Sequence, residues 1–252
     1  MYERYVKIMK KRPLALIVAM KDEFNYIKEQ LQDIKIVEID GYDFYEGKID
    51  EYPVVICHSK IMTINATMAT VITIKNYNPI AILNEGTSGG YSKEIHVGDI
   101  IIGEKSLNIL SSETVFRKKG EGSNSLDWKL VDYIEGEECK VNYHSADNNL
   151  IEIAQKIKYP YGKVYTGIIG SADIWNKEYD RITMLNEKYG TLCEDMEAVA
   201  IYTVANNFGI PAIGIKVISN NEILEEKYDI GSALKCQKFC YDFIKEYIKG
   251  IK

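Results

Sequence analysis

Short, uninterrupted apolar runs alternating with segments of helical periodicity constrain this chain more than any other feature. "PLALIVAM" (13–20), "AILNEGTSGGY" (81–91), "VGDIIIGE" (97–104), "GKVYTGIIGS" (162–171) and "PAIGIKVIS" (211–219) read as strands, the second running into a Gly-rich turn at 84–90. A strand with no polar alternation has no solvated face, so it needs cover on both sides. "KDEFNYIKEQL" (21–31), "TINATMATVITIKNY" (63–77), "NNLIEIAQKIKY" (148–159) and "KEYDRITMLNEKYG" (177–190) read as the covering helices. "CEDMEAVAIYTVA" (193–205) and the amphipathic "SALKCQKFCYDFIKEYIKGI" (232–251) complete them. "YDFYEGKIDEYPVVICHSK" (42–60) reads as a hairpin around "KIDEYP". The pattern predicts one α/β domain over 13–252 whose central sheet carries helices on its faces. Residues 1–12 read as an extension before the first core strand, and the polar stretch 105–146 as loops or an insertion.

Composition removes several function classes. The chain has 252 residues, 46% of them apolar and 27% charged, as expected for a globular protein with a sizeable core. A net charge of -6, spread along the chain, argues against nucleic acid or an anionic membrane as partner. No apolar run approaches the roughly 18 to 20 residues that span a bilayer. "MYERYVKIMKKRP" lacks a signal-peptide core, so a cytoplasmic location is expected. The five cysteines are odd in number and scattered, which speaks against a disulfide framework. Cys236 and Cys240 lie one helical turn apart, but the sequence shows no further ligands near them, and they read as buried thiols. His58, His96 and His144 show no zinc-enzyme spacing. Neither a metal nor an organic cofactor is expected.

In open α/β sheets, ligands collect beyond the carboxyl ends of the strands. The turns there are 20–23, 84–90, 170–175 and 219–222. If 193–205 is helical, Glu197 shares a face with Ala200, Ile201 and Val204, whereas Asp195 points toward Tyr202. Asp195 then reads as a structural cap and Glu194 as a surface or rim charge. An acid on the apolar stripe, such as Glu197, needs partners, because burying it unpaired costs several kcal/mol. "NEGTSGG" (84–90) lets backbone approach a ligand but matches neither nucleotide-phosphate fingerprint.

The ordered set "AM-x-x-E", "N-x-G-[ST]-[SA]-GG", "VGDI", "DMEA" and a late strand ending "IS" resembles the purine nucleoside phosphorylase superfamily. It is most similar to the hydrolytic branch, the 5′-methylthioadenosine/S-adenosylhomocysteine nucleosidases, from about residue 13 to 245. The resemblance implies a three-layer α/β/α fold with a central twisted mixed sheet. It also implies a homodimer that hydrolyses the N-glycosidic bond of a purine nucleoside, releasing free purine and a ribose derivative. Residue by residue, it implies Glu23 as the base that activates water, with Thr87, Ser88 and Gly89 lining the floor beside it. Ile174 and Trp175 fall where the purine is stacked and its edge read. Met196 packs beneath the ribose, Glu197 holds the ribose diol, and Ser219 and Asn220 face the purine N7. These types suit the chemistry: a carboxylate stabilises an oxocarbenium-like sugar, and a second carboxylate takes a proton from water.

Two departures qualify the resemblance. Phosphorylases carry an arginine where this chain has Asn84, and only Lys21 lies in the "AMKDE" turn, which favours hydrolysis over phosphorolysis. The nucleosidases end the late strand with Ser-Asp, the aspartate protonating N7, and this chain has Ser219-Asn220. An amide donates a hydrogen bond but transfers no proton. Four readings stay open. Asn220 serves a 6-oxopurine, as an asparagine does in the trimeric purine phosphorylases; Glu222 supplies the acid; the chain binds nucleosides without turning them over; or the position is simply relaxed. Lys216 replaces a family arginine, keeping the charge but losing the planar fork.

Overall fold

The structure, a computed structural model, describes residues 11–132 and 140–251; most of the N-terminal extension lies outside the described residues. β1 (Leu14–Val18) is buried at all five positions, as its unbroken apolar sequence requires. It is followed by a single 3-10 turn, Lys21–Glu23, and α1 (Asn25–Glu29). β2 (Gln32–Ile39), β3 (Tyr42–Ile49) and β4 (Tyr52–His58) form an antiparallel meander, the last two being the expected hairpin. β2 has an exposed, mixed sequence, which is why periodicity did not mark it as a strand; it lies at the sheet edge. α2 (Thr63–Tyr77) leads to β5 (Ala81–Gly90), β6 (Ile100–Asn108) and the two-residue strands β7 (Ser112–Glu113), β8 (Lys129–Leu130) and β9 (His144–Ser145). Then come α3 (Asn148–Ala154), β10 (Val164–Ser171), α4 (Tyr179–Tyr189), β11 (Thr191–Asp195), α5 (Ala198–Phe208), β12 (Ala212–Asn220) and α6 (Ser232–Ile251).

The main sheet runs β11-β10-β6-β12-β5-β1-β4-β3-β2 and is mixed: β12 lies parallel to β5 and antiparallel to β6. Alternate residues of one strand serve opposite layers. Leu14, Leu16 and Val18 pack with Leu83, Ile213 and Ile215 under α1, α3 and α6. Ala15 and Ile17 pack with Val55, Cys57 and Ile82 under α2 and α5. In α6 the buried positions Cys236, Phe239, Cys240, Phe243, Ile244, Tyr247 and Ile248 follow the helical repeat of its apolar stripe. Fully burying each large side chain contributes about 1.5–3 kcal/mol. The arrangement is the expected three-layer α/β/α.

Two elements differ from the sequence reading. "NEGTSGG" is not a turn: β5 continues extended through Gly90. Its far end pairs antiparallel with β11 (Cys193↔Gly90, Glu194↔Gly89), so β5, β12, β6, β10 and β11 close into a ring. For the same reason residues 193–195 are strand, not the start of a helix. Pairing on two sides, with β5 and with β10, overrides the helical look of "CEDMEA".

Inside the ring, the Tyr202 hydroxyl donates to Gly103 O at 2.7 Å and accepts from Gly214 N at 2.6 Å. A Cβ on Gly103 would sit 2.4 Å from Ile169 Cδ1 and 2.9 Å from Tyr202 Oη, and one on Gly214 3.0 and 3.2 Å from the same two atoms, so a side chain at either position would displace Ile169 or the hydroxyl. Tyr202→Phe should strand these buried groups and destabilise the protein by about 1–3 kcal/mol in guanidinium unfolding. An unchanged midpoint would show that the hydroxyl contributes nothing to closure.

Candidate active site

The carboxyl ends of β1, β5, β10, β11 and β12 converge on a cavity of about 220 Å³. Every residue that the resemblance marks lines it: Glu23, Thr87, Ser88, Gly89, Ile174, Trp175, Met196, Glu197, Ser219 and Asn220. Ala19, Met20, Ile61, Glu194, Asp195 and Tyr228 line it as well, and sequence reasoning did not pick them out as site residues. Ile61 and Tyr228 come from loops without a motif.

Glu23 ends the 3-10 turn after β1 and is 3% exposed. One carboxylate oxygen accepts from Thr87 N at 2.7 Å and Thr87 Oγ1 at 2.9 Å, and the other from Met20 N at 3.1 Å. Gly86 makes this approach possible, since a Cβ there would lie 3.0 Å from Glu23 Oε1. Burial raises the Glu23 carboxyl above its ordinary value, outweighing these donors and the charge of Lys216.

Glu197 does not ride on the helical stripe. It is the N-cap residue of α5, with φ -131° and ψ -35°, and its side chain makes no capping bond. Freed from the helix, its carboxylate accepts from Met62 N at 3.0 Å. Burial first, then the neighbouring Asp195, pushes its carboxyl up to about 8 against the pull of Lys216. Asp195 does the capping instead, both oxygens accepting from Ala198 N at 3.2 and 3.0 Å. It also pairs with Lys216 at 2.8 Å, both side chains being 1% exposed. The lysine is held charged: burial opposes the ammonium most strongly, but Asp195 and Glu197 together raise its pKa.

Glu194 corrects the reading of a surface or rim charge, for it is only 5% exposed. β11 aims it inward, where it accepts from Tyr91 Oη at 2.5 Å, Asn176 N at 2.8 Å and Asn176 Nδ2 at 2.8 Å. These bonds tie the strand to the residue following Trp175. Burial outweighs the donors and pushes the Glu194 carboxyl up to about 7. Trp175 is 48% exposed at the mouth and meets Tyr228 edge-on at 5.9 Å between ring centroids.

The floor is made of small groups. Ser88 Oγ donates to Val217 O and Ser219 Oγ to Ser88 O, both at 3.2 Å. Opposite Gly89, a Cβ would meet Asn220 Nδ2 at 3.4 Å and Glu194 Cγ at 3.5 Å. Asn220 Nδ2 reaches Glu222 Oε1 at 3.3 Å, and Glu222 itself does not line the cavity. Asn84 is buried away from the cavity, its amide donating to Ile17 O at 3.0 Å. Among the described residues no lysine or arginine lines the cavity, although four carboxylates do.

These raised carboxyls fix a pH dependence. Glu197 and Glu194 have folded values above the ordinary 4.5, so between 4.5 and about 8 the native state holds protons that the unfolded chain has lost. Their stabilising contribution is therefore complete below the unfolded value and is lost as pH rises toward 8. The guanidinium midpoint should fall between about pH 5 and about pH 8, and Glu197→Gln should flatten that fall. A midpoint that rises over this range in the wild type, and is unaffected by the substitution, would contradict the assignment.

Comparison with known proteins agrees with this geometry. Residues 13–249 match the sequence model of the Phosphorylase superfamily. A 5′-methylthioadenosine/S-adenosylhomocysteine nucleosidase of Psychromonas ingrahamii is 29% identical over 212 residues, 82% of this chain and 85% of that protein. Its counterpart from Oceanobacillus iheyensis is 26% identical over 210 residues, with the same coverage. Among solved structures, the nucleosidase of Neisseria meningitidis in complex with methylthio-immucillin-A superposes with a TM-score of 0.77. It is 22% identical, covering 93% of this chain and 99% of that one. The futalosine hydrolase of Helicobacter pylori gives 0.76 at 19% identity, covering 93% and 98%. With a cavity at the strand ends and a match across nearly its whole length, the chain belongs to the phosphorylase superfamily.

Proposed function

We propose that the protein is a purine nucleoside N-ribohydrolase acting on nucleosides of the 5′-methylthioadenosine/S-adenosylhomocysteine type. The observation that carries this reading is one cavity in which Glu23 and Glu197 are both buried, each held by backbone donors, with no lysine or arginine in its lining. Four acids line that space and the neighbouring Lys216 is already paired with Asp195, so among the described residues no cationic side chain in the lining is left to bind a phosphate dianion, and water rather than phosphate is the acceptor. The names of the similar nucleosidases support the same reaction.

In this reading Glu197 accepts from the ribose 2′- and 3′-hydroxyls, with Met196 beneath the sugar. Diol donors and positive charge developing on the ribosyl group both favour its ionised form, so the interaction strengthens toward the transition state. Glu23, oriented by Thr87 and Met20, removes the proton from the attacking water. Ile174 and Trp175 flank the purine, and Ser219 and Asn220 meet its N7 edge. Ile61 adjoins Met62, whose N–H holds Glu197, so the space beside the sugar is apolar and suits a thioether substituent. Asn220 supports a second reading, a 6-oxopurine nucleoside hydrolase, because an amide offers both a donor to N7 and a partner for O6.

A homodimer belongs to the same proposal. Ile61, which lines the cavity just before α2, and Ile64 and Met68 in the first turns of α2 lie three and four residues apart and are 44%, 75% and 49% exposed. Light scattering should return twice the chain mass, and Ile64→Glu should shift it toward the monomer; a wild-type monomer would remove this part of the proposal.

Free-base release from methylthioadenosine, S-adenosylhomocysteine, adenosine and inosine, with and without phosphate, tests the reaction. Adenine release independent of phosphate is expected, and absolute phosphate dependence would sink the hydrolase reading. Glu197→Gln should lose at least about 10²-fold in kcat/KM. Asn220→Asp should speed adenine release by about 10²-fold or more, since a carboxylic acid restores proton transfer. If Asn220→Asp instead abolishes activity on inosine, the 6-oxopurine reading is the correct one.

A further inference from the structure

The sequence leaves Cys236 and Cys240 without a third ligand, but the fold supplies one. Glu85 of β5 points into the α1/α3/α6 layer, on the side of the sheet away from its neighbour Asn84, and its carboxylate meets both thiols. The two Sγ atoms and a Glu85 oxygen all lie within 4.8 Å of one another. The three residues are 0–1% exposed. The placement is coherent from both elements: Ile215 is the register partner of Glu85, and Cys236 Sγ lies 3.5 Å from Ile215 O.

What makes this cluster unusual is the state of the carboxyl group. Among the described residues neither Glu85 oxygen has an N–H or O–H partner, and the donor set against it is the weak S–H of Cys240. Ionised, Glu85 is a buried charge beside Glu23, which repels it. A divalent cation satisfies all three groups at once.

We propose that Glu85, Cys236 and Cys240 form a structural site for a thiophilic divalent cation, of which Zn²⁺ is the natural choice. Two thiolates disfavour the oxygen-seeking Mg²⁺ and Ca²⁺, and a carboxylate disfavours monovalent copper relative to zinc. Zinc binds sulfur at about 2.3 Å and carboxylate oxygen at about 2.0–2.2 Å, so ligand atoms of one tetrahedral site stand about 3.5–4 Å apart. The three ligand atoms, all within 4.8 Å of one another, close to that spacing as the ion binds. The Ile215 carbonyl is the adjacent oxygen for a fourth position. Enclosed on all sides, the ion enters as the chain folds, and it staples α6 to β5 directly behind Gly86 and Glu23.

The full chain, reduced and unfolded in guanidinium and refolded with Co²⁺, tests the site, because cobalt reports thiolate ligation as a charge-transfer band. The expected result is equimolar Co²⁺ retained through desalting, with that band present. The Cys236→Ser/Cys240→Ser double variant should have wild-type circular dichroism but neither metal nor band. Should the double variant fail to fold, Cys240→Ala, which removes a single buried thiol, should lose the metal instead. No retained Co²⁺, retention without a thiolate band, or retention in the cysteine variants would overturn the proposal. None of these outcomes depends on nucleosidase activity.

Discussion

The ion pair between Lys216 and Asp195 holds the functional end of this molecule together. Lys216 sits in β12 and Asp195 at the end of β11, and their contact at 2.8 Å is sealed from water on both sides. Around it stand Glu23 and Glu197, both buried, whose fields reach the same ammonium. Without that cation, three carboxylates would face one another in a medium that screens them poorly. An isolated buried charge costs several kcal/mol, and only pairing makes it tolerable. The lysine is thus the condition under which a cavity can contain acids enough for glycosidic chemistry and still belong to a stable fold. A compact ammonium on a flexible stem also suits a point shared among several carboxylates better than a planar fork aimed at one of them.

The pair depends in turn on ring closure. β11 is five residues long and reaches β5 only through the two pairings at Gly89 and Gly90. A side chain at Gly90 would crowd its neighbours, since a Cβ there would sit 2.9 Å from Asn221 Nδ2 and 3.2 Å from Ile218 Cγ2, while one on Gly89 would only come into contact with Asn220. The Gly-rich stretch therefore serves strand against strand, and through that contact it sets the distance between the floor of the cavity and its acids. Asp195 then caps α5 from the strand side, which leaves Glu197 free of capping and turned into the cavity.

This explains which features were legible in the sequence. Runs such as "LALIV" and "AIGIKVIS" declare themselves because full burial demands unbroken apolarity. The ten marked residues converge because each sits at the carboxyl end of such a strand or in the turn after it, where topology alone brings them together. β2 was hidden by its polar, exposed edge position, and β11 by a local sequence that favours helix while its two neighbours impose strand. The inward turn of Glu194 follows from β11 being a strand, so one error of secondary structure carried the other. The meeting of Glu85 with Cys236 and Cys240 joins residues about 150 positions apart across two layers, a distance over which periodicity carries no information.

Asn220 is where the proposed chemistry is most unevenly distributed. Its amide is anchored on one side by Ser219 Oγ, whose single hydrogen is shared between Ser88 O and the amide oxygen, each at 3.2 Å, and on the other by Glu222, which accepts from its nitrogen at 3.3 Å. The side chain is thereby oriented, with one amide hydrogen left to point at a ligand. In the proposed site Glu222 acts through the amide rather than on the purine, since it stands outside the cavity lining. A donor held in place stabilises negative charge growing on the leaving base but supplies no proton, so less of the barrier is removed from the purine side. In the proposed reaction, cleavage of the C–N bond then leans on the sugar side, on Glu197, whose ionised form the charge of Lys216 favours. On that proposal, buried acids beside the sugar have a chemical reason to be there: the weaker the help given to the leaving group, the more the site must stabilise the cationic ribosyl group it leaves behind.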